Sequence, residues 1–177
     1  MKKFVINLFF VLTVFIIYFL QSNFFTWFNI AEVMPNLFII FVLFIGLFTN
    51  KTLGTIYGVI IGLILDLLFS TKVGIQAVSL GLIGFLAAIF DKNFSKDSRM
   101  TIMFMVLGST IIVEVINYLL AYMFVGSSVE IFNFIRILIL EVIFNLILTI
   151  IIYPLIQKFG YEIESEYKGN KILTRYF

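Results

Sequence analysis

Apolar positions run through this chain in blocks rather than in alternation. The blocks lie at about Phe4–Leu20, Ala31–Phe48, Leu53–Phe69, Val73–Phe90, Met100–Val125 and Phe132–Ile156. Each is long enough to cross roughly 30 Å of hydrocarbon as an α-helix. The pattern therefore predicts an all-α integral membrane protein, a single bundle of six transmembrane helices. Glu32 and Pro35 fall in the opening turn of the second block, where proline is tolerated because first-turn amides have no helical partner to lose. Between the first two blocks, Phe24, Phe25, Trp27 and Phe28 cluster as an interfacial aromatic belt would.

Within the third block, Gly54, Gly58, Gly62 and Asp66 are spaced four apart. Residues four apart share one helix face, so the glycines make a flat groove with a carboxyl group at its far end. Helices in lipid associate where small residues let backbones approach. The fourth block carries Ala77, Gly81, Gly84 and Ala88 at four, three and four residue steps, a second small-residue face. These positions are predicted to serve helix packing or partner contact. Asp66 falls one turn from the end of its helix, where water or a headgroup is expected to reach it.

Polar residues deeper in the blocks form two further stripes. Glu114 shares a face with Thr110, Asn117 and Ala121, and Glu141 with Asn145 and Thr149. The short connection between the fifth and sixth blocks makes them antiparallel neighbours whose stripes can face each other. A buried ionisable group costs about 2.5–3.5 kcal/mol at a helix centre, so each needs a partner, water or neutralisation. One reading is a substrate or proton path. The other is a polar seam of Glu114, Asn117, Glu141 and Asn145 that holds two helices in register. No helix interrupted at mid-span and no inverted repeat is evident, which favours the seam. Arg136, near the start of the sixth block, pairs with Glu130 or snorkels to headgroups.

Composition agrees with the pattern and narrows the chemistry. The 177 residues are 62% hydrophobic and 12% charged, against about half and a quarter in soluble domains. What remains outside the spans is too little for a second domain, so residues 1–177 read as one polytopic membrane domain with a tail at 157–177. The tail reads as a short cytoplasmic peptide or a frayed helix end on the headgroups. Cysteine and histidine are both absent, which removes disulfides, thiolate and imidazole metal ligands, and the usual general base. No GxxxxGK[ST], GxSxG or HExxH motif occurs. The sequence supports no catalytic, cofactor or metal site, and its dispersed basic residues suggest no nucleic-acid partner. Met1-Lys2-Lys3 before the first block resembles a signal peptide, but Leu20-Gln21-Ser22-Asn23 offers no small-x-small cleavage site, so the block reads as an uncleaved span.

Basic residues set the orientation, because cytoplasmic loops retain lysine and arginine. With the N-terminus inside, ten of the 12 basic residues lie on that side, and only Lys72 and Arg136 lie outside. The expected setting is a bacterial cytoplasmic membrane with both termini cytoplasmic. The outer loops are all too short to form a domain.

Pro35-Asn36-Leu37, Gly54 and Gly58 leading to Gly62-Leu63-Ile64-Leu65-Asp66-Leu67, Gly74, Leu80-Gly81 and Tyr153-Pro154 together resemble the bacterial rod shape-determining MreD family. Val59 and Ile60, bulky residues between the glycines, depart from it. The resemblance implies a non-enzymatic subunit of the cell-elongation machinery. It would bind MreC, a single-pass protein with a large extracytoplasmic domain, and help couple MreB filaments to peptidoglycan synthesis by RodA and its transpeptidase. It also implies a fold similar to the substrate-binding subunits of energy-coupling-factor transporters. The alternative function is therefore substrate binding for a small-molecule (vitamin) transporter. Against it, Phe4–Leu20 contains neither alanine nor glycine, whereas such subunits dock through small residues in their first helix.

Overall fold

The computed structural model describes residues 2–27, 29, 32–69, 73–125 and 130–169. Among the described residues six α-helices run in order: α1 (Lys2–Phe19), α2 (Leu37–Phe48), α3 (Lys51–Phe69), α4 (Ile75–Asn93), α5 (Arg99–Val125) and α6 (Ile131–Lys168). A π-helical segment, Leu20–Phe24, continues α1. Five of the helices are long and apolar enough to cross a membrane, and α2 is shorter. The architecture is an all-α membrane bundle. Lys2 and Glu166 approach to 3.1 Å, which puts the start of α1 and the end of α6 at the same end of the bundle.

The second block folds differently from its expectation. Its helix has 12 residues, about 18 Å at 1.5 Å per residue, so it does not cross the hydrocarbon by itself. Pro35 lies outside the helix rather than in its first turn, and Glu32 is left-handed, with φ at 67°. The residue before a proline is pushed away from the α region, so Met34 breaks the helical run there. Ala31, where the block was expected to begin, lies outside the described residues. Ten of the 12 residues of α2 are buried, as expected for a helix that is apolar all round. It is the central helix, entered from a non-helical stretch that contains Pro35.

The sixth block also differs. Tyr153-Pro154 does not close it, because α6 runs through Pro154 to Lys168 over 38 residues. That is about 57 Å, longer than the whole bilayer with its headgroups. The part of the tail up to Lys168 is therefore helix rather than loose peptide, and its last turns pack against α1, α2 and α4. The remainder of the tail, with Lys171 and Arg175, lies outside the described residues, as do residues 70–72, Lys72 among them, and 126–129. Of the aromatic belt, Phe24 and Phe25 pack edge to face at 5.3 Å. Trp27 is exposed, and Phe28 is not among the described residues.

Candidate functional site

The glycine faces meet inside the chain. A Cβ on Gly58 would strike the Leu80 carbonyl, and one on Gly62 would strike the Ala77 backbone. On the facing helix, Gly81 receives Val59, whose Cγ2 would lie 2.6 Å from an added Cβ. Val59 is thus the knob that fills the facing groove. Gly46 of α2 makes this a three-helix junction: a Cβ on Gly54 would lie 2.6 Å from the Gly84 carbonyl oxygen and 2.8 Å from the Gly46 Cα. Gly54, Gly58, Gly62, Gly81 and Gly84 are all buried. Backbones touch here, which only side chains of hydrogen permit.

Asp66 closes the same seam. It was expected near water or headgroups, but it is fully buried. Its carboxylate accepts the backbone N–H groups of Gly74 at 2.8 Å, Gln76 at 3.0 Å and Ala77 at 3.1 Å. These are donors that the start of α4 leaves without helical partners, and the positive end of the helix dipole lies there too. Gly74 allows the return, since its φ of 114° suits glycine. Asp66→Asn removes one acceptor oxygen and turns an NH2 group toward N–H donors. The expected cost is about 1–3 kcal/mol, read as a lower unfolding temperature of the detergent-purified protein. An unchanged unfolding temperature would mean that the three amides have other acceptors.

The polar stripes of α5 and α6 come together at the head of α2. Backbone inside a membrane protein must find its hydrogen bonds within the protein, and the break before α2 does so. The Asn36 N–H donates to Asn145 Oδ1 at 2.8 Å, and Gln21 Nε2 donates to the Pro35 carbonyl at 3.0 Å. Asn145 Nδ2 donates to Thr110 Oγ1 at 3.0 Å, which ties α6 to α5. Glu141 lies beside Glu114, Asn36 and Asn145, and Glu114 beside Asn117. The Ser79 hydroxyl donates to Asn117 Oδ1 at 2.6 Å and brings in α4. Glu141 Oε1 and Asn36 Oδ1 are buried without a hydrogen-bond partner among the described residues. The Glu141 carboxyl group thus sits against Asn36, the residue that opens the short central helix.

A second polar cluster, at the opposite end of α2, was not anticipated. Lys96 Nζ contacts Asp91 Oδ1 at 2.6 Å and Glu164 Oε1 at 2.5 Å, and Lys168 Nζ contacts Asp91 Oδ2 at 2.7 Å. Both ammonium groups also donate to the Leu47 carbonyl, at 3.4 Å and 2.5 Å. That carbonyl belongs to the last turn of α2, where unpaired oxygens favour cations. Beside it, Tyr161 donates to Asp97 Oδ1 at 2.6 Å and Tyr153 to the Asp97 carbonyl at 2.9 Å. The end of α6 thereby clasps α2 and the α4–α5 turn. The sequence signal was the Glu164/Lys168 pair, one helical turn apart, which continues the helix into the tail.

Both ends of α2 are held by polar groups, and Gly46 near its C-terminal end packs against Gly54, Gly84 and Ala87. No group of three or more His, Cys, Asp or Glu residues that could hold a metal occurs among the described residues. Fold and sites define a multi-pass membrane protein whose buried polar residues anchor helix ends. The chain matches the rod shape-determining protein MreD family over residues 2–159 and belongs to that family. No curated protein and no solved structure matches it.

Proposed function

We propose that this chain is a non-enzymatic membrane subunit of the bacterial cell-elongation complex. It binds MreC and helps couple MreB filaments to peptidoglycan synthesis by RodA and its transpeptidase. Membership of a family that determines rod shape supports this reading. The observation that carries it further is where the polar groups go: Asp66 holds the start of α4, Asn145 the start of α2, and Asp91 the two lysines at the end of α2. Those groups build a rigid scaffold. The glycine faces are spent within the chain, so partners meet the other faces of the bundle. The experiment is recovery of MreC with this chain from solubilised membranes.

The proposed setting is the cytoplasmic membrane with both termini inside. The ten-to-two basic bias supports it, as does the Lys2–Glu166 contact that puts the start of α1 and the end of α6 on one side. Because the chain has no cysteine, single cysteines report cleanly. Thr26→Cys, at an exposed site, is expected to react with an impermeant thiol reagent in intact cells. Ser95→Cys and Ser165→Cys are expected to react only after permeabilisation. Labelling at position 95 in intact cells would refute this orientation.

A further inference from the structure

We propose that the cleft between α1 and the α2/α6 face binds one phospholipid with a primary-amine headgroup, of the phosphatidylethanolamine type. A cavity of about 320 Å³ lies between these helices, lined by Phe10, Ile17, Leu37, Phe44 and Ile156 among others. Its one hydroxyl, on Thr13, is turned back to the Phe9 carbonyl at 2.8 Å, so the wall is apolar throughout. Phe9 and Phe159, with rings 5.5 Å apart, line both this cavity and a second one of about 580 Å³ at the N-terminal end of α1. The Phe9–Phe159 pair is thus a wall that the two cavities share, with an apolar interior on one side and a polar mouth on the other.

The width of the cleft selects an acyl chain. A helix with its side chains is about 10 Å across, and α1 is tied on both sides of the cleft. At one end Lys2 meets Glu166 at 3.1 Å and Tyr167 donates to Asn7 at 2.8 Å. At the other, Gln21 donates to the Pro35 carbonyl at 3.0 Å. A partner's transmembrane helix enters only if these ties break, whereas a hydrocarbon chain enters between them.

The charge of the mouth selects the headgroup. Its lining includes one ammonium, Lys2, and two carboxylates, Glu162 and Glu166. An anionic headgroup meets a net negative rim. A choline headgroup carries a cation that cannot donate a hydrogen bond. With Lys2 still tied to Glu166, phosphatidylethanolamine offers its phosphate to Lys2 and a hydrogen-bonding ammonium to Glu162, and so complements both signs.

The test is native mass spectrometry of the full chain in detergent. Phosphatidylethanolamine, phosphatidylglycerol and phosphatidylcholine of identical acyl chains are each titrated in. The expected result is one phosphatidylethanolamine per chain, half-saturated at a concentration at least tenfold below the other two. Thr13→Phe, which fills the cleft, is expected to weaken retention at least tenfold. Glu162→Gln, at an exposed position, is expected to cut the preference over phosphatidylglycerol at least threefold. That shift in selectivity is one a purely structural role would not produce, and it decides the matter if Thr13→Phe does not fold. Equal retention of the three lipids, a preference untouched by Glu162→Gln, or a second copy of the chain displacing lipid would overturn the proposal.

Discussion

Gly84→Ala is expected to remove most of the folded protein from the membrane, while Gly108→Ala is expected to leave its level unchanged or slightly raised. The two substitutions add the same methyl group to a helix interior. At Gly84 the new Cβ would overlap the Gly54 carbonyl and lie 2.9 Å from the Thr55 nitrogen. Both neighbours are backbone, which cannot rotate away, so α3 and α4 must separate along the whole seam. Overpacking typically costs 1–3 kcal/mol, and a backbone contact belongs at the top of that range, about 3 kcal/mol. Nothing lies within 4 Å of a Cβ on Gly108. There only helix propensity counts, and alanine is better than glycine by up to about 1 kcal/mol. Unfolding temperature and membrane abundance of the two variants check the contrast, and equal behaviour would contradict the seam.

Asp91→Ala is expected to have the next largest effect. It leaves Lys96 and Lys168, both within reach of the Leu47 carbonyl, with Glu164 alone to share. Breaking a buried charge pair by removing one partner costs about 3–5 kcal/mol. The side chains here are 10–23% exposed, so water relieves part of the loss and about 3 kcal/mol is the better figure. The end of α6 is expected to detach first, because Lys168 holds it to α2 and Asp91. Proteolysis of purified protein between Phe159 and Lys168, accelerated in Asp91→Ala and not in Lys158→Ala, checks this. Equal protection of both variants would contradict the clasp.

The long apolar helices were legible because a membrane span needs only length and hydropathy. The α5 and α6 stripes were legible because Thr110, Glu114 and Asn117, like Glu141, Asn145 and Thr149, keep helical spacing. The break before α2 was not. Local rules let Pro35 sit in a first turn, and only the distant Asn145 and Gln21, by satisfying Asn36 and Pro35, make a non-helical entry affordable. For Asp66, spacing located the carboxyl group but not its partners. The hint was Gly74, eight residues on, a residue able to take the positive φ that folds α4 back onto the carboxylate. The extension of α6 was hidden by Pro154, which usually ends a helix. What carries the helix onward is tertiary: Gly160 against the Phe48 ring, Tyr161 on Asp97, and Lys168 on Asp91.

The scaffold is proposed to work by holding MreC in the elongation complex. The most direct measurement is recovery of MreC with the tagged full-length chain from gently solubilised membranes, compared with Gly108→Ala and with an unrelated six-span protein at matched levels. Near-equimolar MreC is expected with the wild type and with Gly108→Ala, and none with the control. MreC recovered no better than with the control, from a wild-type chain shown to be folded, would contradict it.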